Sequence, residues 1–409
     1  MLQTPKGLRI HIGIFGKCNV GKSSLLNLIT QQNTSIISNL PGTTTDPVEK
    51  AMELHPLGAI LFIDTAGLDD RGFLGEERIK KSLEVLEQSN LALLVTESQA
   101  WGAEEEELIR RFKAQAIPFL IICNKIDLNP PSEAFLTHLR KFDAPFICLS
   151  AKNQADYPAL LEAIIRLAPP SWRATPSLVG DLIAPNALVV LVTPIDLQAP
   201  KGRLILPQVQ AIRDILDHEA TCIITKESNL QSLFKRLKEA PALVVCDSQC
   251  VRETIAHTPE NVKVTTFSIL MARLKGDLTI LSRGARAIHT LQEGDKVLIA
   301  EACTHHALED DIGRVKIPQL LCQFTGKTLK ICHCNGKDYP ENIEEYKLII
   351  HCGACTLNRA GMLSRLAKAQ ESHLPITNYG IALSLFQGVL PRSLEIFPDS
   401  LRAYESEIL

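Results

Sequence analysis

The sequence predicts an α/β protein in which a doubly wound P-loop domain is followed by two smaller α/β domains. From Leu8 to about Leu167, short apolar runs alternate with helical patterns, which is typical of a mainly parallel sheet covered by helices on both faces. A phosphate-loop pattern lies between the first strand and the first helix. After a proline-containing break at residues 169–176 the alternation resumes, so we expect domains at 1–170, 177–264 and 265–409.

Composition narrows the classes of function. The chain has 409 residues, is 45% hydrophobic and carries a net charge of −3, which argues against a broad nucleic-acid surface. No apolar run approaches the roughly 20 residues that span a bilayer, and the start of the chain has no signal-peptide pattern. We therefore expect a cytoplasmic protein with no membrane or nucleic-acid partner. In that compartment the 12 cysteines should be reduced thiols, and clusters of them indicate metal binding.

The first domain opens with a buried-strand pattern at residues 8–15 and a helical run at 24–29. Four later apolar runs predict strands at Ile60–Ile63, Leu91–Val95, Phe119–Ile122 and Phe146–Leu149.

The second domain has β-α-β-α-β order. Strands are predicted at Leu188–Val192, Cys222–Thr225 and Leu243–Cys246, with helices near Leu206–His218 and Leu230–Glu239. No glycine-rich phosphate loop occurs in it, so we interpret it as a structural or self-association module.

The third domain begins with a helical stretch, Phe267–Leu291, that is interrupted around two glycines. Strands are predicted at Val297–Ala300, Leu329–Cys332 and Lys347–Ile350, and a helix follows Asn358. Polar clusters come directly after two of these strands and are considered below.

The segment 16–23 fits the pattern G-x-x-x-x-G-K-[ST]. Its glycines let backbone N–H groups surround phosphate oxygens, Lys22 can reach the β- and γ-phosphates, and the Ser23 hydroxyl can bind Mg²⁺. The predicted phosphate-binding residues are Gly16, Asn19, Val20, Gly21, Lys22, Ser23 and Ser24.

Three further motifs follow predicted strands, where the ligand crevices of α/β sheets form. Asp64 is predicted to hold the Mg²⁺ shell, and the Gly67 N–H is predicted to face the γ-phosphate. The Asp127 carboxylate can accept hydrogen bonds from N1–H and the amino group of guanine, a pair that adenine lacks, so the nucleotide should be GTP or GDP. The predicted base-binding residues are Asn124, Lys125, Asp127, Ser150, Ala151 and Lys152.

These motifs resemble the translation-factor-like class of GTPases, and residues 41–46 resemble the switch segment of its tRNA-modification and ribosome-assembly branches. That resemblance implies that Thr44 senses Mg²⁺ and the γ-phosphate, with Thr43 as the alternative. It also implies that Asn19 helps to hold K⁺. Leu68 occupies the position of a water-orienting glutamine, and because leucine cannot orient water, we expect slow intrinsic GTP hydrolysis.

Two cysteine/histidine clusters follow strand predictions in the last third: Cys303-Thr304-His305 and His351-Cys352-Gly353-Ala354-Cys355. Three thiolates with one further ligand suit either a [4Fe–4S] cluster or Zn²⁺, and residue chemistry alone leaves both open. Cys332-His333-Cys334 is a rival constellation, because alternate residues of a strand point to the same face.

Along the chain, the GTPase motifs are followed by Cys-x-His and then by His-Cys-x-x-Cys. This order resembles the [FeFe]-hydrogenase maturation GTPase family, as do residues 41–53 and 375–380. The resemblance implies a GTPase domain, a dimerisation domain and a [4Fe–4S] cluster domain. It also implies a scaffold or carrier that receives a transient diiron precursor and delivers it to apo-[FeFe]-hydrogenase. Two radical-SAM maturases would make that precursor. The carrier would act as a homodimer. Carried over residue by residue, Cys303, Cys352 and Cys355 become cluster ligands. The fourth ligand is His305, His351 or an exchangeable group.

The alternative is a tRNA-modification or ribosome-assembly GTPase with a structural zinc site. Such a protein should have a basic RNA-binding face, and the tRNA-modifying relative should end in a Cys-x-Gly-Lys motif. The chain instead ends in Ser406-Glu407-Ile408-Leu409 and has an acidic balance of charge.

Overall fold

The structure is a computed structural model that divides into two compact units, Met1–Thr175 and Pro176–Leu409. It describes residues 4–406 apart from 32–46, 68–72, 99, 170–171, 173–176, 195–203, 303–311, 337–338, 341 and 355. Within this part of the chain, no helix is long and apolar enough to cross a membrane.

Unit 1 is a six-stranded sheet in the order β2-β3-β1-β4-β5-β6, in which only β2 runs antiparallel to its neighbour. The strands are β1 (Ile10–Phe15), β2 (Val48–Leu54), β3 (Gly58–Asp64), β4 (Leu91–Thr96), β5 (Phe119–Cys123) and β6 (Phe146–Cys148). The helices are α1 (Lys22–Thr30), α2 (Phe73–Gln88), α3 (Ala103–Ala114), α4 (Glu133–Arg140) and α5 (Tyr157–Leu167).

Two hydrophobic cores cover the two faces of this sheet. Ile12 and Ile14 of β1 pack with Leu25 of α1 and Ile164 of α5 on one face. Phe15, which alternates with them along the strand, packs on the other face with residues of α2, α3 and α4. The doubly wound architecture predicted for this part of the chain is therefore confirmed.

Unit 2 contains two four-stranded parallel sheets, in the orders β10-β9-β7-β8 and β12-β11-β13-β14. The strands are β7 (Leu188–Val192), β8 (Thr221–Thr225), β9 (Leu243–Cys246), β10 (Lys263–Thr266), β11 (Lys296–Glu301), β12 (Lys330–Asn335), β13 (Leu348–His351) and β14 (Ile376–Asn378). The helices are α6 (Leu206–Asp217), α7 (Leu230–Arg236), α8 (Val251–His257), α9 (Phe267–Lys275), α10 (Leu278–Ala285), α11 (Ile317–Thr325), α12 (Arg359–Glu371), α13 (Tyr379–Phe386), α14 (Leu390–Leu394) and α15 (Pro398–Glu405).

The larger of two hydrophobic cores in the described part of unit 2 extends from Leu178 to Phe397 and includes residues from both sheets. The second core lies on the other face of the first sheet, around Val190, Val192 and Val244. Helix α9 connects the sheets, because Phe267, Ile269 and Leu270 belong to the larger core and directly follow β10. The boundary predicted between residues 264 and 265 falls inside β10.

All of the strand predictions correspond to strands, with ends that differ by a few residues. The predicted helical stretch Phe267–Leu291 is divided into α9, α10 and a 3-10 turn at Arg286–Thr290, with breaks near Gly276 and Gly284 as expected. The predictions did not include β2, β10 or β14. The strand β2 is half exposed and reads Val-Glu-Lys-Ala-Met-Glu-Leu, a pattern too polar to stand out.

Candidate functional site

The phosphate loop connects the end of β1 to the start of α1, as the motif requires. The Lys22 side chain is 8% exposed, and its Nζ donates hydrogen bonds to the carbonyl oxygens of Gly16 (3.0 Å) and Lys17 (2.7 Å). Gly16 has a φ of 145°, and a Cβ there would lie 2.2 Å from the Val95 carbonyl oxygen, so no larger residue fits. The loop thus presents an ammonium group and backbone N–H groups at the N-terminus of a helix, where phosphate binds.

Ser23 and Asp64 lie together beside this loop, as predicted for a Mg²⁺ site. The Ser23 hydroxyl donates to Asp64 Oδ2 at 2.6 Å, and Asp64 ends β3 with 8% exposure. Burial raises the pKa of Asp64, although the Ser23 hydrogen bond and the Lys22 charge oppose this. Asp64 Oδ1 is buried without a hydrogen-bond partner among the described residues. A buried carboxylate oxygen that lacks a partner fits coordination of a hard cation such as Mg²⁺.

Asn124 connects the phosphate loop to the predicted base-binding loops. Its Nδ2 donates to the Val20 carbonyl oxygen at 2.8 Å, and its Oδ1 accepts the Ala151 N–H at 2.9 Å. The residue is 2% exposed, so both bonds are shielded from water. Lys125 Nζ donates to the Asn19 carbonyl oxygen at 2.5 Å, which adds a second bond between the same two regions.

The other predicted nucleotide residues surround this centre. Asp127 is exposed, so its carboxylate is accessible to a base that binds in an open pocket. Ser150 is 4% exposed; its N–H donates to Asp156 Oδ2 at 2.9 Å, and the Lys152 N–H donates to the Ser150 hydroxyl at 3.4 Å. Ser24 lies in the first turn of α1, and Gly67 is buried just after β3. Thr43, Thr44 and Leu68 lie outside the described residues.

Lys17 also lies at this site, although it was not among the predicted residues. Its ammonium group lies 2.9 Å from Glu105 and 3.3 Å from Glu104, and it also donates to the Ala100 carbonyl oxygen at 2.6 Å. Burial works against the charge, but the two carboxylates outweigh it and raise the pKa of Lys17. The phosphate loop is thereby fastened to the start of α3. A signal in the sequence was the acidic run 104–107, which is typical of an ordinary helix N-terminus.

In unit 2, Cys352 directly follows β13, and its N–H donates to the Ala300 carbonyl oxygen of β11 at 2.8 Å. Its sulfur accepts backbone hydrogen bonds from the N–H groups of Ala302 (3.1 Å) and Ala354 (3.4 Å). N–H donors at a sulfur favour the thiolate, which is the form that binds metals. Ala302, the residue before Cys303, therefore lies beside Cys352 at the carboxyl ends of β11 and β13.

His351 is fully buried, and both of its ring nitrogens have protein partners. Nδ1 lies 2.8 Å from the Cys352 carbonyl oxygen, and Nε2 lies 2.8 Å from Arg365 NH1. A carbonyl can only accept and a guanidinium can only donate, so Nδ1 carries the proton and the ring is neutral. Burial, together with the nearby Arg365 charge, lowers the pKa of His351 to about 3.

Three predicted ligands, Cys303, His305 and Cys355, lie outside the described residues. Within the described ranges, no group of three His, Cys, Asp or Glu side chains is placed to hold a metal ion. The rival pair, Cys332 and Cys334, lies within β12 rather than beyond its end, with Cys334 8% exposed in the hydrophobic core.

Comparison with known proteins connects each unit to a family. Residues 11–125 match the 50S ribosome-binding GTPase family. The chain is 34% identical over 171 residues to GTPase Der of Wolinella succinogenes, a match that covers 39% of this chain and 36% of that protein. It is also 34% identical over 168 residues to the tRNA modification GTPase MnmE of Nitrosomonas europaea, covering 40% of this chain and 36% of that protein. The chain therefore spans about a third of the length of the curated relatives it matches.

Among solved structures, an Aquifex aeolicus Era variant bound to GDP and AlF4⁻ is 28% identical. The match covers 39% of this chain and 56% of that chain, with a TM-score of 0.36. From the sequence match and the motif geometry, unit 1 is a P-loop GTPase domain.

The rest of the chain matches two models of one other family. Residues 178–276 match the hydrogen maturase F dimerization domain, and residues 279–396 match the hydrogen maturase F tetramerization domain. These two matches together span more than half of the chain and leave only residues 277 and 278 between them. The chain therefore belongs to the hydrogen maturase F family.

Proposed function

We propose that this protein hydrolyses GTP and acts as the scaffold or carrier of [FeFe]-hydrogenase maturation, binding a [4Fe–4S] cluster and delivering a diiron precursor to apo-hydrogenase. The proposal rests on the environment of Cys352, whose sulfur accepts hydrogen bonds from the backbone N–H groups of Ala302 and Ala354. Ala302 directly precedes Cys303. GTP binding, self-association and cluster binding would follow one another along the chain at 1–170, 177–264 and 265–409.

Cys303, Cys352 and Cys355 would hold the cluster. Because both ring nitrogens of His351 are engaged within the protein, we favour His305 or an exchangeable group as the fourth ligand. When bound, the cluster supplies an iron with an exchangeable position where an incoming metal fragment can attach. His351 and Arg365 would then act as positioning residues that fix the turn carrying Cys352.

In the GTPase domain, Ser23 and Asp64 would hold Mg²⁺, which neutralises charge on the phosphates. Lys22 would bind the β- and γ-phosphate oxygens, and Asp127 would select guanine. Thr44 and the Gly67 N–H would sense the γ-phosphate, while Asn19 would help to hold K⁺. With leucine at position 68, turnover should be slow and stimulated by K⁺, which suits a switch better than a metabolic enzyme.

We propose that the homodimer forms along β8, the edge strand of the first sheet of unit 2. An edge strand presents unpaired N–H and C=O groups that can join a second copy. Cys222 packs on the face covered by α6, and Ile224, two residues along, shares that face and is 44% exposed. Two apolar residues of α6, Val209 and Leu216, are also 49% and 56% exposed.

The competing function, a tRNA-modification or ribosome-assembly GTPase with structural zinc, is less well supported. Matches to GTPase Der and to the tRNA modification GTPase MnmE cover 39% and 40% of the chain, whereas residues 178–276 and 279–396 match hydrogen maturase F domains.

Anaerobic purification followed by iron, sulfide and zinc analysis tests the cluster. We expect about four irons and four sulfides per chain with broad visible absorption. Stoichiometric zinc without that absorption would contradict the proposal. Cys352→Ser should lose iron and sulfide, while Cys332→Ser, in strand β12 of the same sheet, should keep both; the opposite pattern would indicate the rival site.

Delivery is tested separately. Wild-type protein loaded with the diiron precursor should activate apo-hydrogenase, and Cys352→Ser loaded in the same way should not. Full activation by the variant would refute the role assigned to Cys352, even if the cluster analysis succeeds.

A further inference from the structure

Two cysteines of unit 1 lie opposite each other on the neighbouring strands β5 and β6. Cys123 ends β5 and Cys148 ends β6, and the strand register pairs them directly. The Leu149 N–H donates to the Cys123 carbonyl oxygen at 3.0 Å, so the two main chains are hydrogen-bonded at this point. Paired residues of neighbouring strands direct their side chains to the same face of the sheet. The two thiol groups therefore lie side by side.

The spacing of the two strands suits a disulfide. Neighbouring strands lie about 4.8 Å apart, and the Cα atoms joined by a disulfide are usually about 4.4–6.8 Å apart. Both cysteines are free thiols in the structure. A single cysteine at a strand end behaves as a small hydrophobic residue. A pair in register differs from it, because the second thiol can react with the first once that one is oxidised.

The two thiols have unequal environments. Cys123 is 0% exposed, whereas Cys148 is half-buried. A hydrogen bond from Cys123 lowers the pKa of Cys148 to about 7, although burial opposes this. The same hydrogen bond, together with burial, raises the pKa of Cys123. Cys148 is thus the thiolate of the pair, and Cys123 is the thiol that keeps its proton.

This arrangement has the features of cysteines that react with oxidants. Such a cysteine has a low pKa and contacts solvent, and a second cysteine beside it captures the oxidised sulfur. Cys148 has the low pKa and the exposure, and Cys123 is the second cysteine. Asn124 directly follows Cys123, and Ser150 lies two residues after Cys148. A bond between the two strand ends would therefore form next to both of the predicted base-binding loops.

We propose that Cys123 and Cys148 form a dithiol site in the GTPase domain that reacts with hydroperoxides and closes to a disulfide. The Cys148 thiolate attacks the peroxide, the O–O bond breaks, and a sulfenic acid and a hydroxide ion form; the hydroxide takes a proton from solvent. The Cys123 thiol then attacks the Cys148 sulfur, so that the S–S bond forms, the S–O bond breaks and water leaves with the Cys123 proton. The two sulfurs are oxidised, the peroxide is reduced to water, and a thiol reductant reverses the change.

Closing the disulfide should weaken nucleotide binding. Bonded sulfurs lie about 2.05 Å apart, closer than two thiols in hydrogen-bond contact, so the ends of β5 and β6 are drawn together. The Asn124 side chain, which bonds to the Val20 carbonyl oxygen and the Ala151 N–H, lies directly after this point. We expect the affinity for GDP to fall about tenfold, the effect of one misplaced hydrogen bond to the base. This effect rests on the proposed guanine site, whereas the disulfide itself does not.

Tryptic peptides allow the disulfide to be detected directly. Trypsin places Cys123 in peptide 114–125 and Cys148 in peptide 142–152, each with one cysteine. Reduced, nucleotide-free protein is treated with hydrogen peroxide under anaerobic conditions, alkylated and digested, and the peptides are identified by mass spectrometry. We expect the two peptides to be joined by a bond that dithiothreitol removes. Peptide 317–327 carries the half-buried Cys322 of α11; as the internal control, it should remain alkylated.

Variants connect the disulfide to nucleotide binding. The Kd for a labelled GDP is measured before and after peroxide treatment in wild type, Cys148→Ser, Cys123→Ala and the matched control Cys322→Ser. Wild type and the control should each lose about tenfold in affinity and regain it with dithiothreitol. The other two variants should not respond. Cys148→Ser alone is sufficient for this comparison, because its side chain is half-buried and the result does not depend on the folding of Cys123→Ala.

The possible outcomes separate the parts of the proposal. Absence of the joined peptides, or oxidation of Cys148 that proceeds without them, would overturn the dithiol site. A joined pair with an unchanged Kd for GDP would overturn the effect on nucleotide binding. Peroxide sensitivity of GDP binding in Cys148→Ser would assign that effect to another cysteine and would overturn it as well. Failure of the proposed guanine site would appear earlier, as reduced wild-type protein that does not bind GDP.

Discussion

Asn124 is the residue whose replacement most directly tests how the nucleotide site is held together. It makes two buried hydrogen bonds, to the Val20 carbonyl oxygen and from the Ala151 N–H. In Asn124→Ala both backbone groups lose their partner. Leaving a buried polar group unpaired costs about 1–3 kcal/mol, so two of them should cost roughly 2–6 kcal/mol before water relieves part of it.

Part of that cost should appear in nucleotide affinity, because a bound nucleotide contacts the phosphate loop and the base loops together. We expect at least a tenfold weaker Kd for GDP, since about 1.4 kcal/mol corresponds to a factor of ten. The assay is a fluorescence titration with a labelled GDP, paired with urea unfolding of the nucleotide-free protein. Asn153→Ala is the control, because Asn153 makes an exposed local bond to the Ala155 N–H in the same unit. If Asn124→Ala binds GDP as tightly as the control, the two loops are not held together through this side chain.

Three further predictions follow from the same site and from unit 2. Lys22→Ala should abolish GTP turnover and leave the iron content unchanged; loss of iron would mean that the two sites depend on each other. Asp64→Asn should also lose turnover, yet in nucleotide-free, Mg²⁺-free protein near neutral pH it should resist urea at least as well as wild type. The pKa of the Asp64 carboxyl is raised in the folded protein. Its ionisation therefore lowers the free energy of unfolding as the pH rises above the unfolded-state pKa of 3.8 and through the folded-state pKa, whereas the amide of asparagine does not ionise. A variant less stable than wild type would contradict this. Ile224→Asp should convert dimers to monomers in light scattering, whereas Val48→Asp, on the edge strand of unit 1, should not; unchanged dimers in the first would exclude the β8 surface.

The positions of the described nucleotide-site motifs in the fold could be predicted from the sequence, because each motif is short and follows a strongly apolar strand. The order of the strands and helices along the chain then determines where these side chains meet. The ion pairs of Lys17 could not be predicted, since Glu104 and Glu105 lie more than eighty residues away and match an ordinary acidic helix start. The core that joins the two sheets of unit 2 was also hidden, because periodicity identifies strands but not which sheets share a helix.

The cysteine site illustrates a different limit. The spacing His-Cys-x-x-Cys makes His351 as good a candidate ligand as His305, because sequence gives proximity along the chain but not the direction of a side chain. His351 is the last residue of β13, where it lies on the strand opposite Ala300 and within reach of α12. Arg365, 14 residues later, supplies a donor that suits a neutral imidazole and opposes a charged one. A contact between a strand end and the middle of the following helix depends on how the helix packs against the sheet. The partners of His351 are therefore set by tertiary structure, even though the cysteines beside it are recognised from the sequence.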